Sequence, residues 1–208
     1  MHRREHGRVV AVIAGAAVVS LGLAGCSGGH QQRATPTSDA RSLTGTGPWA
    51  DEFREALQHG VSPYEAEILR DGEITPAELE DAHHHVRQCL GESGLDIAYA
   101  TDGGFELESR DGKYPDDFFE RSDPVLRACE ERYDQYVTML FEETRRNPQK
   151  QDEAAITVRC LQKAGLVGED YSERKWRDEY DAGVFSFPEY DTAAKQCTLD
   201  PLGLWRTP

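Results

Sequence analysis

Lysine is scarce in this 208-residue chain, with five copies against 18 arginines, and asparagine occurs once, at Asn147. Positive charge as a whole is short: 23 Lys and Arg face 38 Asp and Glu, a formal net charge of −15 and a pI near 4.8. That balance excludes the basic face with which a nucleic-acid binder releases counterions from phosphate. It also opposes direct adsorption to anionic lipid head groups. Hydrophobic residues make up 38%, below the usual globular share, yet Phe, Tyr and Trp together number 18. No low-complexity tract dominates. Most of the chain therefore has the material for one or two small folded domains.

The N-terminus reads as an address. Arg3, Arg4 and Arg8 form a positive start, followed by an uncharged run from Val9 to Gly25 that is short and rich in Gly and Ala. This is the pattern of an export signal over residues 1–25. The run closes on Leu23, Ala24, Gly25 and Cys26. At the end of an apolar segment, that tetrapeptide resembles the lipobox of bacterial lipoproteins. The resemblance implies that Cys26 is thioether-linked to diacylglycerol and becomes the first residue after cleavage. It further implies a place on the outer face of the cytoplasmic membrane, with the membrane itself as a partner through the anchor. Removing residues 1–25 takes away three Arg and one Glu, leaving 20 basic and 37 acidic residues, a net of −17. Residues 26–48 then form a tether: after Cys26, 15 of 22 positions are Gly, Ser, Thr, Pro or Gln. As a random coil, 22 residues have an rms span of roughly 25 Å.

Four further cysteines, Cys89, Cys129, Cys160 and Cys197, lie in a chain expected on an oxidising side, so the even count reads as two disulfides. Three pairings are open, and an internal echo selects one. Cys89 opens CLGESGL and Cys160 opens CLQKAGL; Phe119 and Asp123 precede Cys129 by the same steps as Phe187 and Asp191 precede Cys197. The expected bridges are Cys89 to Cys129, within a module of residues 49–147, and Cys160 to Cys197, within a second module of residues 148–208.

Capping and periodicity predict a mainly α fold with a small β-hairpin. Trp49, Phe53, Ala56 and Leu57 share a helical face that Gly60 ends in a left-handed turn. Ser62-Pro63-Tyr64-Glu65 and Thr75-Pro76-Ala77-Glu78 both read as capping boxes with Pro at the first helical position. Leu79, Ala82, Val86, Cys89 and Leu90 make an apolar stripe that stops at Gly94. Leu95, Ile97 and Tyr99 alternate, as do Phe105 and Leu107, across a turn at Asp102-Gly103-Gly104. One long helix is expected from about Pro124 to Arg146, before Asn147-Pro148. Shorter helices are expected around Ile156 to Ala164, Trp176 to Tyr180, and Ala193 to Cys197.

The segment from Asp71 to Leu95, with its Asp-Gly, Thr cap, Glu, helical Cys and closing Gly, resembles a stretch common in lipoproteins secreted by actinobacteria. The excess of Arg over Lys and the single Asn agree with GC-rich coding. The resemblance implies a source and a location, not a reaction.

Candidate chemistry is weighed residue by residue. Asp71 to Glu78 imitates the back half of a calcium loop, but Leu69 stands where a third-position ligand belongs. His83, His84 and His85 point 100° apart on a helix and do not converge on one ion, so no metal is expected; His83 belongs to the apolar stripe, with His84 and His85 solvated. Ser172-Glu173-Arg174-Lys175 matches a β-lactamase-type nucleophile motif without its companion elements, and Ser172 serves better as an N-cap. The pairs Asp116–Asp117 and Glu142–Glu143 read as a solvated acidic face. No Gly-rich phosphate loop or zinc signature occurs, and no cofactor or catalytic residue is expected. The function expected is a non-enzymatic, lipid-anchored binding or structural module of the bacterial envelope with a protein or cell-wall partner. The alternative is an extracytoplasmic cell-wall hydrolase or ligand-binding protein, which predicts a concave pocket lined by Tyr, Trp and carboxylates.

Overall fold

The computed structural model describes residues 47–100 and 104–206. Residues 1–46, with the expected export segment and Cys26, and Thr101, Asp102 and Gly103, where the hairpin turn is expected, lie outside the described residues. The elements run α1 (Ala50–His59), α2 (Pro63–Leu69), α3 (Pro76–Glu92), β1 (Leu95–Tyr99), β2 (Phe105–Ser109), α4 (Phe118–Tyr133), α5 (Val137–Arg146), α6 (Glu153–Lys163), α7 (Glu173–Ala182) and α8 (Thr192–Leu199). The protein is mainly helical with one antiparallel hairpin.

Local chemistry starts and stops these helices where the sequence places the signals. Thr75 accepts the Glu78 N–H, and the Glu78 side chain returns to the Thr75 N–H at 2.7 Å, a complete capping box. Ser62, Asp152, Ser172 and Asp191 each accept a backbone N–H from the first turn of α2, α6, α7 and α8. Gly60 ends α1 at φ 92°, where a side chain would be strained.

Three apolar clusters organise the packing. Phe53, Leu69, Ile74, Val137 and Leu140 anchor the first, which joins α1, α2 and α5 to the start of α3. Val86 and Leu90 of α3, Leu95 and Ile97 of β1, and Phe118 and Leu126 of α4 form the second. Val158, Leu161, Tyr171, Phe187 and Ala194 form the third, under α6 and α8. The hairpin pairs Ile97 with Leu107 and Tyr99 with Phe105, and β1 turns its buried positions to α3.

The disulfides join Cys89 of α3 to Cys129 of α4 and Cys160 of α6 to Cys197 of α8, with Cα separations of 5.8 and 5.5 Å. Between its two cysteines the first pair encloses the hairpin; in the same place the second encloses α7.

Three expectations change. The single helix from Pro124 to Arg146 is two: α4 begins earlier, at Phe118, and the chain breaks at Asp134–Tyr136 before α5. The apolar stripe is thereby divided, with Leu126 and Cys129 in the second cluster and Val137 and Leu140 in the first. The echo between Phe119 and Phe187 is not carried by packing: Phe187 is buried, whereas Phe119 is 68% exposed and its neighbour Phe118 fills the core. Nor do the matched aspartates agree, since Asp191 caps α8 while Asp123 lies inside α4, paired with Arg127. His85 is only partly solvated: its side chain is 35% exposed and packs beside Tyr64 and Tyr133.

Candidate functional site

The break between α4 and α5 gathers a set of polar side chains from four elements. Glu65, on α2, is the centre of it. Ser62 accepts its backbone N–H at 3.1 Å, but the carboxylate does not return to Ser62 as a capping box requires. It is 0% exposed, and its Oε1 accepts the N–H of Tyr136 at 2.9 Å. Tyr136 precedes α5 and offers no side-chain cap, so a carboxylate from another helix satisfies a donor left open at the N-terminus of α5. The other oxygen, Oε2, is buried without a hydrogen-bond partner among the described residues. Burial pushes the Glu65 carboxyl up to about 7, against the N–H groups of Tyr136, Gln135 and Val137, with the Asp134 charge adding to the rise.

Asp134 holds the same break from the other side. Its Oδ1 accepts the Thr138 N–H and its Oδ2 the Thr138 hydroxyl, both at 2.7 Å. Burial raises this carboxyl to about 6, against those two bonds. With its own hydrogen directed to Asp134, Thr138 Oγ1 accepts from His83 Nε2 at 2.8 Å. His83 stacks on Tyr99 with ring centroids 3.5 Å apart. Burial lowers its pKa to about 4, aided by the Arg87 charge, so the ring is neutral near pH 7. A hydroxyl, an imidazole and a carboxylate thus meet, but not as a nucleophilic triad. Asp134 approaches the same ring nitrogen that faces Thr138, at 3.6 Å, and itself accepts the hydrogen bond from the hydroxyl. A relay needs the carboxylate on the far nitrogen and the hydroxyl proton directed to the ring. What the arrangement does chemically is hold protons inside a structural joint. Beside it, Tyr64, His85 and Tyr133 form a triangle of rings with centroids 5.0 to 5.6 Å apart, and the Tyr64 hydroxyl donates to Asp81 at 2.7 Å.

A second candidate is a solvent-open groove. α6 and the start of α7 flank a groove of about 510 Å³. Ala155, Val158, Arg159 and Gln162 supply the α6 wall, and residues 171–174 the other. Gln162 Nε2 donates to the Tyr171 carbonyl at 3.1 Å, and the Tyr171 hydroxyl donates to Glu179 at 2.6 Å. These two bonds tie the loop before α7 to the helices on either side.

The residues singled out from the sequence fall as follows. Ser172 accepts the Lys175 N–H at 3.2 Å and caps α7, so the two members of the nucleophile-like motif meet through backbone, not through an activated hydroxyl. Asp71 accepts the Glu73 N–H at 3.1 Å and Glu78 is used by its capping box, which leaves the calcium-like segment as turn and cap. Glu142 and Glu143 are ion-paired to Arg206 and Arg146, at 2.7 and 3.0 Å; Asp117 meets Arg121 at 3.3 Å, and Asp116 is exposed. Among the described residues, no three His, Cys, Asp or Glu side chains form a metal-holding group. Sequence reasoning missed Glu65 and Asp134. Glu65 carried a local explanation as a cap, and Asp134 lay inside what read as continuous helix. No family model, curated protein or solved structure matches the chain.

Proposed function

We propose that this chain is a bacterial envelope lipoprotein, anchored through Cys26 to the outer face of the cytoplasmic membrane, whose disulfide-stapled domain works by binding and not by catalysis. The observation that carries the reading is the tetrapeptide Leu23-Ala24-Gly25-Cys26 at the end of the apolar run. Support comes from the two disulfides, which persist in oxidising compartments, and from residues 27–48, whose composition suits a stalk. The binding half of the reading is favoured by the fate of the two hydroxyls that invite a nucleophile assignment. Ser172 is occupied as a helix cap, and the Thr138 hydroxyl donates its hydrogen bond to Asp134. An acidic domain on a stalk suits a protein or wall component as its partner. The test is metabolic labelling of cells expressing the full chain with a tagged fatty acid. Label should appear on the wild-type protein and vanish in Cys26→Ser; label retained by that variant overturns the anchor.

A further inference from the structure

The α6–α7 groove carries two arginines without a carboxylate partner. Elsewhere on the exposed surface Arg70, Arg121, Arg127 and Arg177 each hold a carboxylate, while Arg110 and Arg132 have no ion pair among the described residues. Arg159 and Arg174, which both line the groove, have no ion pair, hydrogen bond or ring contact among the described residues. Two guanidinium groups bordering one concavity repel each other, and each presents a planar fork of donors suited to carboxylate or phosphate. The α6 wall also includes Ala155, Gln162 and the largely buried Val158, so the apolar surface beside the arginines is small. One carboxylate, Glu173, shares the rim, and it is turned toward Arg177 at 3.8 Å. The groove, about 510 Å³, is open to solvent and has room for a small organic molecule laid along it.

We propose that this groove binds a small amphiphilic anion, with a carboxylate or phosphate head held between Arg159 and Arg174 and a short apolar body laid on Ala155 and Val158. A soluble ligand is favoured over a membrane surface, because a net charge of −17 on the chain after residue 25 repels an anionic bilayer over its whole face. A single small anion meets only the local field of the two arginines. Glu173 sharpens the choice by disfavouring ligands with charge spread beyond the head. The proposal gives a ligand class to the binding-module reading and rests on it, but not on the lipid anchor.

The experiment is calorimetric titration of the full chain with octanoate and with octyl phosphate, using octanol and inorganic phosphate as single-feature controls. At least one amphiphilic anion should bind saturably, more tightly than either control, and less tightly as salt is raised. Loss of two charge-assisted contacts in Arg159→Ala/Arg174→Ala should weaken it by about tenfold or more. Glu173→Gln should tighten binding. Both arginines are exposed, so the double variant should keep the wild-type melting temperature. Equal binding by octanol, unchanged affinity in the double variant, no saturation by either anion, or binding only to phosphatidylglycerol vesicles would each overturn the proposal. Fatty-acid labelling at Cys26 is read separately, so failure of the groove and failure of the anchor give different results.

Discussion

At the residue scale, Glu65 is the side chain whose environment departs furthest from its sequence neighbourhood. Its folded carboxyl keeps its proton up to about 7, whereas the ordinary value is 4.5. A raised acid contributes stability that is complete below the unfolded value and is lost as pH rises through the window from 4.5 to 7. Above that window the buried charge costs on the order of 3 kcal/mol. His83 acts with the opposite sign. Its folded pKa near 4 lies below the ordinary 6.5, so its contribution is complete above 6.5 and is lost as pH falls toward 4. Asp134, raised from 3.8 to about 6, sides with Glu65. The wild-type stability curve is therefore muted, and the difference from a variant isolates one group. Glu65→Gln keeps an oxygen for the Tyr136 N–H and does not ionise. Urea unfolding at pH 4.5 and pH 8 should show the variant gaining on wild type by about 3 kcal/mol between the two conditions. A gap that does not change with pH would remove Glu65 as the seat of the effect.

At the element scale, α7 is attached differently from its neighbours. It has no fully buried residue; it is held by half-buried Trp176 against the third cluster, by the Tyr171–Glu179 bond, by Arg177 on Asp152 and by its position inside the 37-residue loop closed by Cys160 and Cys197. Polar contacts at an exposed surface contribute little each, so one aromatic contact and the covalent closure carry much of the order. Cys160→Ser/Cys197→Ser should lower stability by about 4 kcal/mol. In hydrogen exchange, amides of α7 and α8 should lose protection first, while those of α3, stapled by Cys89 to α4, stay protected. Equal loss across all helices would mean that the third cluster does not open as a separate unit. Element boundaries set by contiguous residues were legible: caps at Ser62, Thr75 and Ser172, and the stop at Gly60, each need only a side chain and a backbone a few positions away. The break at Asp134–Tyr136 was not, because helical spacing continues across it and the carboxylate that accepts the Tyr136 N–H comes from 71 positions earlier.

At the scale of the whole molecule, Arg146 connects three helices. Nearly buried on α5, it binds Glu143 of its own helix at 3.0 Å, Glu153 of α6, and the Thr198 carbonyl of α8 at 2.9 Å. Asp200, also buried, accepts the N–H groups of Leu204, Trp205 and Arg206. The turn it makes sets Trp205 edge-on against Phe141 of α5, at 5.9 Å. Arg146→Met keeps volume but removes the partner of the Thr198 carbonyl and of Glu153, whose carboxylate is 40% exposed and turns to water; a loss of about 1.5 kcal/mol in chemical denaturation is expected. A loss below about 0.5 kcal/mol, the size of an ordinary surface change, would mean that the junction does not depend on it. The sequence by itself determined the mainly helical class, the hairpin, most helix starts and the pairing of the four cysteines, since these follow from periodicity, short-range hydrogen bonding and a repeated spacing. Only the tertiary structure decided where Glu65 and Arg146 send their charges, which of Phe118 and Phe119 enters the core, and that Arg159 and Arg174 share a groove. A charged side chain satisfies itself with whatever partner the fold brings within hydrogen-bond reach, and that partner is set by packing between segments far apart in the chain.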